Sequence, residues 1–218
     1  GAAEVNVSGN TVAGVGRAAI TVEDTRGATV AGNRLGTTAS DDPVPVGEGI
    51  WVSGSTGVTV GGATPNTIRA TATGIAVTSS SGTQIAGNAL SGGSRGIDVE
   101  AGAAVVALNT VDGTSTFGIR ALGDGASVTS NVVTGTGDGI VVGGEDATVE
   151  TNRVGVPAGS DEPVGSAGSG LIVTEGGATV TRNVIAGHAR HGIQIEPGAT
   201  AELRANRVWA SGSQPIAA

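Results

Sequence analysis

The sequence predicts an all-β fold, a parallel β-helix solenoid of about eight to nine coils of roughly 22 residues with an asparagine ladder inside it. Three observations lead there. The chain has ten Asn, and nine of them occupy one pattern, hydrophobic-x-x-Asn-x-hydrophobic, with one three-residue insertion: Asn10, Asn33, Asn66, Asn88, Asn109, Asn131, Asn152, Asn183 and Asn206. Their spacings are 23, 33, 22, 21, 22, 21, 31 and 23. A second pattern, small residue or Gly followed by Ile/Leu-x-Val, runs in step from Ala19-Ile20-Thr21-Val22 to Gly192-Ile193-Gln194-Ile195, and Ile216 starts a further copy. Third, the 218 residues include 40 Gly but only three aromatic side chains, Trp51, Phe117 and Trp209. A globular core of this size needs large side chains at its centre, so small β-branched residues must fill a thin, regular one.

Each element follows from these patterns. Ile-x-Val has period two, so both apolar residues face one side of a short strand. One such strand cannot bury its face alone, whereas copies stacked about 4.8 Å apart form a parallel sheet with a continuous Ile/Val column. A second strand ends near Val30, Val60, Ile85, Val106, Val128, Val149, Val180 or Leu203. A third follows each Asn, at Leu35, Ile68, Leu90, Val111, Val133, Val154, Ile185 or Val208. Asn tolerates the left-handed conformation of a sharp turn, and stacked Asn amides can bond one another. The two longer repeats leave loops at 37–48 and 156–169, so residues 1–218 read as one domain.

Charge and composition exclude several functions. The net charge is −8, with 19 acids against 11 bases, all Arg. That argues against nucleic acid and anionic membrane as partners. No Cys is present for disulfides, thiolate metal sites or thiol nucleophiles. No apolar run is long enough to span a membrane, and the chain, which lacks an initiating Met, reads as a mature form or an excerpt.

The repeat Gly-Ile-x-Val … Val-x-x-Asn-x-Val resembles the right-handed parallel β-helix repeats of the pectate-lyase-like superfamily. That superfamily contains polysaccharide lyases, glycoside hydrolases, epimerases, phage tail spikes and bacterial surface proteins. The segments Asn33-Arg34-Leu35-Gly36 and Asn152-Arg153-Val154-Gly155, each leading into an acidic loop, are similar to the Asn-x-Ile-Gly-Thr-Asp loops of bacterial extracellular β-helix proteins without assigned catalysis. The resemblance implies a structural or adhesive module of a secreted or cell-surface protein. Its alternative is a carbohydrate-active enzyme or carbohydrate-binding module with a polysaccharide partner. No cofactor is implied except calcium, should the protein be a lyase.

In catalytic members of that superfamily the substrate lies along the outer face of one sheet. The outward column of the first strand is Thr21, Trp51, Ala76, Asp98, Arg120, Val141, Ile172 and Gln194. Asp98, Glu100 and Arg120 would meet there as a carboxylate–Arg cluster, with Arg as base or charge neutraliser and the carboxylates on calcium. The plainer reading, which the apolar neighbours Val141 and Ile172 favour, is a cross-strand surface ion pair worth under about 1 kcal/mol. Trp51 either stacks on a sugar ring or, the favoured reading, is covered by loop 37–48. Asp138-Gly139-Ile140 and His191-Gly192-Ile193 resemble the Asp and Gly-His-Gly signatures of polygalacturonases. The paired Asp of that family is absent, the two residues are two coils apart, and the Gly-Ile step is set by the repeat. His188 and His191 with Asp161 or Glu162 form the candidate metal set, short of a complete tetrahedral one. Arg34 and Arg153 are expected to pin their acidic loops. The open sheet edges at Gly1-Ala2-Ala3 and after Ile216 predict further chain or self-association there.

Overall fold

A computed structural model describes residues 5–100 and 102–218; Gly1-Ala2-Ala3, where one open edge was expected, lies outside them. Every described regular element is a β-strand, and every strand pairing is parallel. The chain winds as a solenoid of about nine turns, and successive turns place equivalent strands side by side. Three sheets run along the tube. The second strands form a nine-stranded sheet from Asn6–Ser8 to Thr200–Arg204. The first strands, such as Val46–Ser53, Arg95–Glu100 and Phe117–Ala121, form another. The third strands, such as Ala89–Ser91 and Thr110–Asp112, complete the wall.

The register aligns the repeats as their spacing requires. Ile50, Ile75, Ile97, Ile119, Ile140, Leu171 and Ile193 lie in one column, fully buried. Val30, Val60, Ile85, Val106, Val128, Val149 and Val180 form a second buried column, and Leu35 through Ile185 a third. Each apolar side chain thus packs on near-copies of itself above and below, which fills the interior without aromatic rings.

The repeated Gly before Ile has a steric cause. A Cβ on Gly96 would fall on the carbonyl oxygen of Gly118 and on Val111, and one on Gly139 on the carbonyl of Gly170 and on Val154. The first and third strands meet at this corner, and in the coils from Gly49 onward a residue without a side chain lets them close, whereas the first coil carries Ala19 there.

The asparagines form a continuous ladder. Asn109 donates its Nδ2–H and its backbone N–H to Asn131 Oδ1 at 3.0 and 2.9 Å, and Asn131 does the same to Asn152 at 3.0 and 2.9 Å. From Asn33 onward each Nδ2 also donates to a carbonyl of the preceding coil, as Asn131 does to Val106 at 2.9 Å. The chain of donors runs unbroken from Asn10 to Asn206. One expectation needs correction. The left-handed residue is the one before each Asn, not the Asn: Gly32, Gly87, Leu108, Ser130, Thr151, Arg182 and Ala205 all have positive φ. The turn is made a residue early, which leaves the Asn side chain directed inward. Asn66 follows Pro65, whose ring fixes a negative φ, and there Gly61 and Gly62 carry the positive φ instead.

A second difference lies at Thr67–Thr78, one strand of 12 residues where the repeat predicts two. No Gly, Pro, Asn or Asp occurs between Thr67 and Thr73 to break it, so the strand passes through the corner and joins two sheets.

Candidate functional site

The outer face of the first-strand sheet carries the candidate site. Its central column is the expected one, with Thr21 beside Trp51, Trp51 beside Ala76, Ala76 beside Asp98, and Asp98 beside Arg120. A neighbouring column, Ala18, Glu48, Thr73, Arg95, Phe117 and Asp138, lies alongside. A third begins Glu23, Ser53, Thr78 and Glu100.

Asp98, Glu100 and Arg120 do come together. Arg120 Nε donates to Asp98 Oδ1 at 2.7 Å and Nη2 to Oδ2 at 3.0 Å, while Nη2 also reaches Glu100 Oε1 at 2.5 Å. Arg95 Nη1 approaches Asp98 Oδ2 at 3.4 Å. The guanidinium carbon of Arg120 stands 5.0 Å over the Phe117 ring. Its hydrogen bond to Asp98 raises the Arg120 pKa above its ordinary value, against a smaller opposing cost of burial. The plain surface ion pair that the sequence suggests is not what forms: Asp98 is only 6% exposed, roofed by two arginines. Val141, on the other side of Arg120, is also buried, and only Ile172 beyond it keeps part of its surface.

Trp51 corrects a second expectation. Loop 37–48 does not cover it. The loop folds back on itself, with Thr37 bridged to Pro43, and its Val44 docks at Gly14, whose N–H donates to the Val44 carbonyl at 3.1 Å. Val46, expected in the loop, begins the next strand. Trp51 is left 39% exposed between Thr21 and Ala76, neighbours too small to cover the indole. It lines two depressions. One of about 140 Å³ lies toward Thr73, Arg95, Asp98 and Glu100; one of about 700 Å³ lies toward Arg17, Thr21, Glu23 and Thr71. Glu48 lines both.

Glu48, Arg95 and Arg17 were missed in the sequence. For Glu48 and Arg95 the available signal is the residue just before the repeated Gly, the position that Asp138 and His191 also hold; Arg17 stands one residue earlier, two before Ala19. Counting by twos from the inward Ile50 would put Glu48 inside, and that count fails next to the register shift between Val46 and Glu48.

The other candidates do not converge. Asp138 Oδ1 accepts from the Ser169 N–H at 2.8 Å, spanning the corner. His191 Nδ1 faces the Gln214 N–H at 3.4 Å. His188 is 1% exposed, with Nε2 3.3 Å from the Val154 carbonyl. Burial lowers its pKa, partly offset by that carbonyl and by the charge of Asp138. Asp161 faces Arg153 at 4.0 Å and Arg207 at 3.8 Å, and Arg153 also bonds the Pro157 and Ser160 carbonyls, closing the second long loop. Arg34 pairs with Asp41 across the first. Among the described residues no three His, Asp or Glu side chains are grouped to hold a metal, so His188, His191, Asp161 and Glu162 form no common site. Among them, too, no helix is long and apolar enough to cross a membrane.

The family model described as right-handed β-helix region matches residues 1–154. The chain belongs to the right-handed β-helix family. No curated protein and no solved structure matches it. Membership in the right-handed β-helix family accounts for the fold and says nothing of a ligand.

Proposed function

We propose that this right-handed β-helix is an adhesive, saccharide-binding module of a secreted or cell-surface protein, and that the groove around Trp51 is its binding site. The observation that carries this is Trp51 itself, a half-exposed indole walling two depressions rimmed by hydroxyls and carboxylates. An aromatic face with convergent polar groups suits a pyranose, which has an apolar C–H face and a polar edge. Binding without catalysis fits the cluster beside it. Arg120, Asp98 and Glu100 spend their hydrogen bonds on one another, whereas a general base must be free to reach a substrate proton. The extracellular setting rests on the likeness of the Asn33 and Asn152 loops to those of extracellular β-helix proteins.

Affinity electrophoresis through gels containing neutral, amino and uronic polysaccharides tests the proposal. Retardation by at least one polymer, lost in Trp51→Ala with the fold intact, is the expected result. Free migration in every gel, or equal retardation of wild type and Trp51→Ala, refutes it. Depolymerisation of any polymer by the wild type, lost in Arg120→Ala, would favour the enzyme.

A further inference from the structure

We infer that the Trp51 groove selects a saccharide carrying a protonated amino group, an inference that rests on reading the groove as a saccharide site. The charged groups of the groove divide into those already paired and those still uncommitted. Around the smaller depression both arginines face carboxylates: Arg120 holds Asp98 and Glu100, and Arg95 approaches Asp98. Glu48 has no hydrogen bond or ion pair to its carboxylate among the described residues, although it borders both depressions. In the larger depression Glu23 and Glu48 stand against the single cation Arg17, and none of the three side chains is paired among the described residues. The uncommitted charge is thus two carboxylates to one guanidinium, beside an indole whose face is itself electron-rich.

That combination favours an ammonium group. A cation over an indole face is attracted by the ring quadrupole, and a nearby carboxylate supplies the counter-charge. A uronate brought to the same place meets Glu23, Glu48 and the outer oxygen of Glu100, on a protein of net charge −8, and is repelled. An amino sugar presents both recognition elements at once, a C–H face for Trp51 and an ammonium for Glu48.

Calorimetric titration with β-linked glucosamine oligomers, their N-acetylated counterparts and oligogalacturonates of equal length tests the inference. It is run at mildly acid pH, with the fold verified by circular dichroism. Glucosamine oligomers are expected to bind about tenfold more tightly than N-acetylated ones, and uronates to bind weakest. Glu48→Gln should remove the preference while leaving N-acetylated binding in place. Glu162→Gln, in the second long loop, should change nothing. Equal or tighter binding of N-acetylated or uronic oligomers overturns the amino-sugar inference and leaves a saccharide groove standing. So does an unchanged preference in Glu48→Gln, or a loss in Glu162→Gln as large as that in Glu48→Gln, the mark of bulk charge attraction. Binding of no oligomer, or binding indifferent to Trp51→Ala, overturns the inference together with the saccharide reading beneath it.

Discussion

Arg120 grips both oxygens of Asp98 on the adjacent coil, Nε to Oδ1 at 2.7 Å and Nη2 to Oδ2 at 3.0 Å, while the Asp98 side chain keeps only 7% of its surface. A two-pronged bond to a shielded carboxylate is not interchangeable with a surface ion pair.

Arg120→Ala should therefore cost about 2–4 kcal/mol of unfolding free energy, since it strands a buried carboxylate with Arg95 as its remaining partner. Urea denaturation measures it. Adding Asp98→Ala should recover much of the loss, because the stranded charge goes too. A loss below about 0.5 kcal/mol for Arg120→Ala would show that the pair behaves as an exposed one.

Asn131→Ala should cost about 1–3 kcal/mol, because it removes the acceptor of two Asn109 donors and one of the two donors to Asn152 Oδ1, whose bond from the residue 131 backbone N–H remains. Asn6→Ala, at an exposed position outside the ladder, should cost far less. Equal shifts in thermal midpoint for the two variants would contradict the ladder's energetic role.

Gly118→Ala places a methyl group against Val133 and 2.9 Å from the Gly139 carbonyl oxygen. Overpacking of this kind costs about 1–3 kcal/mol. Gly165→Ala, in the second long loop with nothing within 4 Å of its Cβ and no positive φ, should leave stability within about 0.5 kcal/mol. Thermal melts of the two variants separate the steric requirement from the general entropic effect of glycine.

His188 adds a pH dependence. Its folded pKa is lowered by burial, so the unfolded chain takes up the proton more readily than the folded one. Stability is complete above the unfolded value of about 6.5 and declines as pH falls through and below it. As pH is lowered from about 7 to about 5, urea midpoints should fall in the wild type and fall less in His188→Gln. Matching slopes would remove His188 from the account.

The repeat made much of this legible. A fixed spacing converts sequence position into height along the tube, so the column from Thr21 to Gln194 and the Asn ladder could be written down residue by residue. Departures from the repeat were not legible. Whether Trp51 is covered depends on which way loop 37–48 folds, and that is set by contacts special to this coil, among them Val44 with Gly14, Thr37 with Pro43 and Arg34 with Asp41. Asp98 alternates as an outward residue and is nonetheless buried, because Arg120 and Arg95 close over it. Glu48 sits beside a bulge, where counting by twos fails. The fold comes from what the coils share, and the groove from what each coil does differently.

Every rung of the Asn ladder before Asn206 donates in the same direction, and each meets an identical partner on the next coil. The tube is thereby a ruler graduated in single coils. Excising residues 110–131 would join Asn109 to Val132 just as Asn131 is joined now, and present Asn109 to Asn152 with donor and acceptor still matched. The excision would bring the Asp161 loop one strand spacing, about 4.8 Å, closer to Trp51, and duplication would move it the same distance away. Such a scaffold can change how far apart its surface groups stand without redesigning its interior.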